Sequence, residues 1–100
     1  MADLKSDSSR ASDISEILKA LSHPIRLMLV AQLLDGEANV SELAERLEVP
    51  QSLASQQLRI LRMADLVDFS RKDGFAVYRI TKPRLAELLH CLEGCRSGSN

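Results

Sequence analysis

Two cysteines, Cys91 and Cys95, stand four residues apart in the stretch LLHCLEGC near the end of a 100-residue chain, with His90 directly before the first. On a helix, positions four apart share one face, so both thiols would join the stripe that carries Leu88 and Leu92. Paired thiolates select soft ions such as As(III), Sb(III), Cu(I) or Cd(II). A third ligand could come from His90 or from a second copy of the chain. Two other readings stay open: a redox switch, and two small apolar residues that only pack. A disulfide within a regular helix is disfavoured because Cβ vectors four residues apart diverge, so it requires unwinding at Gly94. His23, beside Pro24, reads as a helix-entry residue.

No other constellation suggests covalent chemistry. There is no Ser-His-Asp set, paired-carboxylate site, Gly-rich phosphate loop or Cys-x-x-Cys. A chain this short buries only about 60–65% of its unfolded surface, which leaves little room for a pocket, so the sequence reads as a non-enzyme. At 45% hydrophobic and 27% charged residues it matches one ordinary globular domain. The aromatics Phe69, Phe75 and Tyr78 fall within ten residues, so the rest of the core must be aliphatic, which favours helices with one small β element. No apolar run approaches a membrane span, and MADLKSDSSRASD contains no apolar signal core. The expected compartment is the cytoplasm, with no membrane partner, where thiols are kept reduced.

The net charge of −1 hides an uneven distribution. Seven basic residues against three acids lie between Arg59 and Arg84, whereas Asp35 to Glu48 holds five acids against Arg46 alone. A basic half beside an acidic half points one face at an anion. Within the segment from Val49 to Ala64, free of Asp and Glu, the residues Gln51, Ser52, Ser55, Gln56 and Arg59 lie opposite an apolar stripe of Ala54, Leu58 and Leu61. Amide and hydroxyl side chains at the start of a helix suit base edges and phosphates. Arg71, Lys72 and Arg79 in SRKDGFAVYR suit phosphate or minor-groove contact.

These residues need elements to hold them. Residues 1–12 read as a disordered arm, residues 13–95 as the folded domain and 96–100 as a flexible tail. Asp13-x-x-Glu16 reads as a capping pair before a helix striped with Ile14, Ile17, Leu18 and Leu21. Pro24 opens a second helix, striped with Ile25, Met28, Leu29 and Leu33, that stops at Gly36. Asn39-x-x-Glu42 caps a third, with Leu43, Ala44 and Leu47 inward. A tight turn then leads into the polar helix from Gln51 to about Met63, forming a helix-turn-helix. After it the period changes to two, and Asp73-Gly74 reads as a hairpin turn. Lys82-Pro83 opens a last helix with Leu85, Leu88, Leu89 and Leu92. The layout is mainly α with a small β-hairpin, a winged helix-turn-helix whose second motif helix enters the major groove of double-stranded DNA. A winged helix used only to hold a protein partner is the alternative.

The segment from LKALSHPIRL through VSELAERL and QSLASQQLRIL to the wing RKDGFAVYRI resembles the ArsR/SmtB family of bacterial repressors over residues 15–92. The resemblance implies a homodimer that represses an operon from an inverted-repeat operator and is released by an inducer. It implies an interface through the first and last helices, which assigns Ile14, Ile17, Leu18, Leu21, Leu85, Leu88, Leu89 and Leu92 to it, and a DNA face of Val40, Gln51, Ser52, Ser55, Gln56, Arg59, Arg71 and Lys72. Two departures stand out. Pro50 replaces the usual capping Ser or Thr, and Gln57 replaces a common His.

The family's inducer positions can be read one by one. An arsenic-type Cys pair would fall on Asn39 and Ser41, a zinc-type Asp and His on Lys82 and Arg84, and a persulfide-sensing Cys on Ala31. All three schemes are missing. Some relatives sense trivalent arsenic through C-terminal cysteines, which leaves Cys91 and Cys95 as metal or redox candidates. The inducer stays unassigned: As(III), Sb(III), another soft metal, or none.

Overall fold

The computed structural model describes residues 5–98, with side chains through Glu93. Helix α1 (Ser8–Ala20) begins five residues earlier than Asp13, because Asp7 caps it by accepting the Arg10 amide at 3.0 Å. The arm expected over residues 1–12 therefore ends in a helix, and residues 1–4 lie outside the described residues. The residues of the expected Asp13–Glu16 cap lie inside the helix: Glu16 pairs with Lys19, and Asp13 reaches the far end of the chain.

Helix α2 (Pro24–Leu34) enters through His23, whose Nδ1 accepts the Ile25 amide at 3.2 Å. It buries Leu29, Val30 and Leu33, whereas Met28, expected on the inner stripe, is exposed. Strand β1 (Ala38–Asn39) follows, then α3 (Val40–Leu47) and α4 (Gln51–Met63). Strands β2 (Val67–Lys72) and β3 (Phe75–Ile80) form the hairpin, and α5 (Pro83–Gly98) closes the chain. Helix α5 thus extends through most of the tail expected over 96–100; residues 99–100 lie outside the described residues.

The sheet is three-stranded, in the order β1-β3-β2, with Ala38 opposite Tyr78 and Asn39 opposite Val77. A two-residue strand carries no readable alternation, so the sequence reading misses β1. The hairpin turn has positive φ at both central residues, 50° at Asp73 and 83° at Gly74, the mirror-image turn whose twist matches the flanking strands. Phe69 and Tyr78 face each other across β2 and β3 with ring centroids 5.3 Å apart.

One aliphatic core joins Ile17, Leu29, Leu43, Leu58, Leu61, Leu66 and Leu85, all nearly inaccessible. The interface set needs correction here. Ile17, Leu21, Leu85 and Leu89 are buried in the protomer's own core, while Ile14 and Leu88 are half-buried. Leu18 and Leu92 alone of that set are exposed, at 53% and 52%. The stripes of α1 and α5 are wide enough to serve the core and still leave an apolar edge outside.

The chain ends are tied by charge. Asp13 of α1 accepts from Lys82 Nζ at 3.0 Å and Arg84 Nη1 at 2.6 Å. The Lys82 hydrogen bond, with both positive charges, holds the Asp13 carboxyl below its ordinary range against a smaller opposing effect of burial. A carboxyl lowered on folding stabilises the protein above its unfolded pKa, about 3.9, and that contribution is lost as pH falls through the lower folded value. In urea titrations from pH 7 to 3, Asp13→Asn is less stable than wild type at neutral pH, and the gap begins to shrink as pH falls below about 4. A gap that stays constant to pH 3 would assign the loss to packing.

Candidate nucleic-acid interface

The helix-turn-helix begins at a reciprocal cap. Asn39 Oδ1 accepts the Glu42 amide at 2.8 Å, and Glu42 Oε1 accepts the Asn39 amide at 2.9 Å. Helix α3 stops at Glu48, which takes a left-handed conformation (φ 57°, ψ 47°), and the Val49 amide closes the turn onto the Ala44 carbonyl at 3.0 Å. Pro50 gives α4 no side-chain cap. The first turn of α4 is secured from outside instead: Ser41 Oγ donates to Gln51 Oε1 at 3.1 Å. That bond engages the carbonyl oxygen of the exposed Gln51 amide and leaves its NH2, the group that can donate at a base edge, without a partner among the described residues.

Helix α4 buries Ala54, Leu58 and Leu61 and exposes Gln51, Ser52, Ser55, Gln56 and Arg59, so the expected polar row lies together on one outer face. Val40 does not join it; this side chain is half-buried and packs against the core from the first turn of α3.

Not all the expected cations are equivalent. Arg59 and Arg71 are exposed, and neither has a partner among the described residues. Lys72, at the end of β2, is held by Glu37 at 2.6 Å. Arg62 lies 4.8 Å from the centre of the Phe69 ring and 3.7 Å from Asp68. Arg79 makes only a 3.5 Å contact with Ser70 Oγ. A wing carrying free Arg71, beside a helix without acids, can grip phosphate while the start of α4 meets the bases.

Comparison with known proteins agrees with this geometry. Residues 23–68, the segment from the start of α2 into β2, match the profile described as "Bacterial regulatory protein, arsR family". The chain is 41% identical over 83 residues to the biofilm growth-associated repressor of Xylella fastidiosa, covering 83% of this chain and 73% of the relative. This chain belongs to the ArsR family. Over 83 residues it is also 40% identical to the transcriptional regulator NmtR of Mycobacterium tuberculosis, covering 83% and 69% of the two chains. The crystal structure of the Xylella fastidiosa repressor BigR superposes with a TM-score of 0.82 at 37% identity, covering 91% of this chain and 93% of that one. The homodimeric winged helix-turn-helix domain of Mb0332 from Mycobacterium bovis superposes with a TM-score of 0.76 at 25% identity, covering 97% and 88%. The fold is a winged helix-turn-helix, and the protein is a transcriptional regulator rather than an enzyme.

In this ArsR-family chain, structural bonds occupy the positions of two of the three inducer schemes read from the sequence. Asn39 caps α3 and Ser41 anchors Gln51, while Lys82 and Arg84 are engaged by Asp13. Ala31 lines an apolar cleft between α2 and α5. Cys91 is an exposed free thiol, and the Cys95 side chain lies outside the described residues. Among the described residues no three His, Cys, Asp or Glu side chains gather as a metal site.

The residue that sequence reading missed is Arg26. Its Nε donates to the Ala20 carbonyl at 2.6 Å and its Nη1 to Gln57 Oε1 at 2.9 Å. Gln57 is the one buried polar residue in the described core. Its departure from the common His is visible in the sequence, but a partner 31 residues away is not. Removing Arg26 leaves a buried amide oxygen without its donor, which costs about 1–3 kcal/mol. Arg26→Ala therefore lowers the urea midpoint, and adding Gln57→Leu to it recovers part of the loss. Additive losses from the two substitutions would show that the pair is not coupled.

Proposed function

We propose that two copies of this chain bind an inverted-repeat operator in double-stranded DNA and repress transcription there. The observation that carries this reading is the exposed row Gln51, Ser52, Ser55, Gln56 and Arg59 on acid-free α4, set beside unpartnered Arg71 of the wing. The similarity to proteins named as repressors supports repression, and the similarity to a homodimeric domain supports pairing. The exposed Leu18 and Leu92, on α1 and α5, are the apolar groups a second copy would cover. Two recognition helices in successive major grooves require half-sites about 34–36 Å apart.

The test is fluorescence anisotropy on operator and random duplexes across a salt series. Gln51→Ala or Ser55→Ala weakens operator binding by about 1–3 kcal/mol and leaves random-duplex binding nearly unchanged. Arg71→Ala weakens both and flattens the salt slope by about 0.9. Lys72→Ala does less than Arg71→Ala, because Glu37 already holds its ammonium. Binding that is insensitive to salt and to all four substitutions would favour a protein-interaction module.

Release is assigned to thiol chemistry at Cys91 and Cys95 on α5. Cys91 supports this reading: it is exposed and shares a cleft with Ile14 of α1 and Leu88 of α5, next to the apolar edge a second copy would cover. A soft metalloid such as As(III) or Sb(III) bound by thiols of both copies, or oxidation of those thiols, would alter how the α5 helices pack. A coupling of about 1–3 kcal/mol lowers DNA affinity roughly 5–150-fold. Cys91→Ser with Cys95→Ser keeps DNA binding but abolishes release by As(III), Sb(III), Cd(II), Cu(I) or persulfide. A double variant still released like wild type would place the sensor elsewhere.

A further inference from the structure

A groove of about 470 Å³ opens between the C-terminal end of α2, strand β3 and the start of α5. It lies apart from the polar row of α4, and its volume falls within the range of small-molecule sites. Its apolar lining is Leu33, Leu34, Ile80 and Ala86. Its polar lining includes Arg79, Thr81, Lys82 and His90.

The charges around it do not cancel. Lys82 shares Asp13 with Arg84, so that cluster keeps one net positive charge. Glu37, at the rim, is neutralised by Lys72 at 2.6 Å. Arg79 has only its 3.5 Å contact with Ser70 Oγ, and the Thr81 hydroxyl and His90 imidazole have no partner among the described residues. A groove lined by apolar side chains and by a guanidinium with donors to spare suits a ligand with an apolar body and a planar anionic head. A carboxylate matches the guanidinium fork better than a spherical anion does. The charged side chains that line the groove, Arg79 and Lys82 against Glu37, favour an anion over an amine.

We propose that this groove binds a small amphipathic monocarboxylate, with its alkyl or aryl body on Leu33, Leu34, Ile80 and Ala86 and its carboxylate on Arg79, assisted by Thr81 or His90. The groove meets α5 on the face of Pro83, Ala86 and His90, whereas Arg84, Leu88 and Cys91 face α1. An occupant would therefore not compete with contacts made along the α1 side.

The test follows backbone amide shifts of the full ¹⁵N-labelled chain, without DNA, so its failure leaves the DNA-binding reading standing. Hexanoate and benzoate are the probes; hexanol, hexylammonium and acetate are the comparators. Hexanoate and benzoate shift the amides of Gly36, Thr81, Ala86 and His90 saturably, and each comparator binds at least about tenfold more weakly. Arg79→Gln reduces hexanoate affinity about tenfold and leaves hexanol binding unchanged. Ala86→Phe, which fills the groove from α5, abolishes hexanoate binding and serves if Arg79→Gln disturbs the wing. The absence of saturable shifts would overturn the proposal. So would equal binding of hexanol, hexylammonium or acetate, or shifts centred on the separate cleft between Leu27 and Leu92.

Discussion

The orientation of the recognition helix depends on one guanidinium. Arg26 spans three helices: it stands on α2, takes the open carbonyl of Ala20 at the end of α1, and donates to Gln57 on the inner face of α4. Aliphatic contacts of Leu58 and Leu61 hold α4 to the core but are non-directional. They tolerate small rotations about the helix axis. A hydrogen bond to a buried amide oxygen does not, because rotation would leave the oxygen unpaired in a poorly hydrated place. The apolar stripe sets which face of α4 is inside, and Gln57 sets its angle. That angle decides where Gln51 and Ser55 point.

The same frugality governs the charges. The sequence places a basic half beside an acidic half, and the fold pairs several of the basic residues with distant acids. Lys72 of the wing crosses to Glu37 beside β1, and Lys82 and Arg84 cross to Asp13 on α1. The exposed Lys72–Glu37 pair contributes little stability. The consequence of these pairs is selective, since they remove cations from the outer field. Among the described residues Arg59 and Arg71 are left unpaired, and Arg79 only weakly engaged at the α2–α5 groove.

Elements with a long period were legible in the sequence. The inner stripes of α3 and α4, the hairpin around Asp73-Gly74 and the exposed polar row follow from spacing and turn chemistry alone. The failures share a cause. Asp13-x-x-Glu16 satisfies a capping pattern and so points to a start at Asp13, yet Asp7 takes the cap and Asp13 has a tertiary role. β1 is too short to show a period. The leucines of α1 and α5 were assigned together to a partner, although a stripe does not reveal whether it faces its own core or another chain. Arg26–Gln57 and Ser41–Gln51 were invisible because hydrogen bonds between distant residues leave no local pattern.

Helix α5 shows how one element can serve several purposes without conflict. Leu85 and Leu89 fix it to the core. Pro83, Ala86 and His90 border the β3 groove, and Arg84, Leu88 and Cys91 turn toward α1. Because its core stripe is narrow, a shift that preserves Leu85 and Leu89 can still change both flanks. Its first turn follows β3 after only Thr81 and Lys82, and Thr81 is bonded through its amide to the Leu66 carbonyl, between α4 and β2. A displacement at the start of α5 therefore has a covalent and hydrogen-bonded route to the wing and to the end of the recognition helix. Signals arriving on either flank of α5 would act on DNA through that junction, without any contact between ligand and DNA.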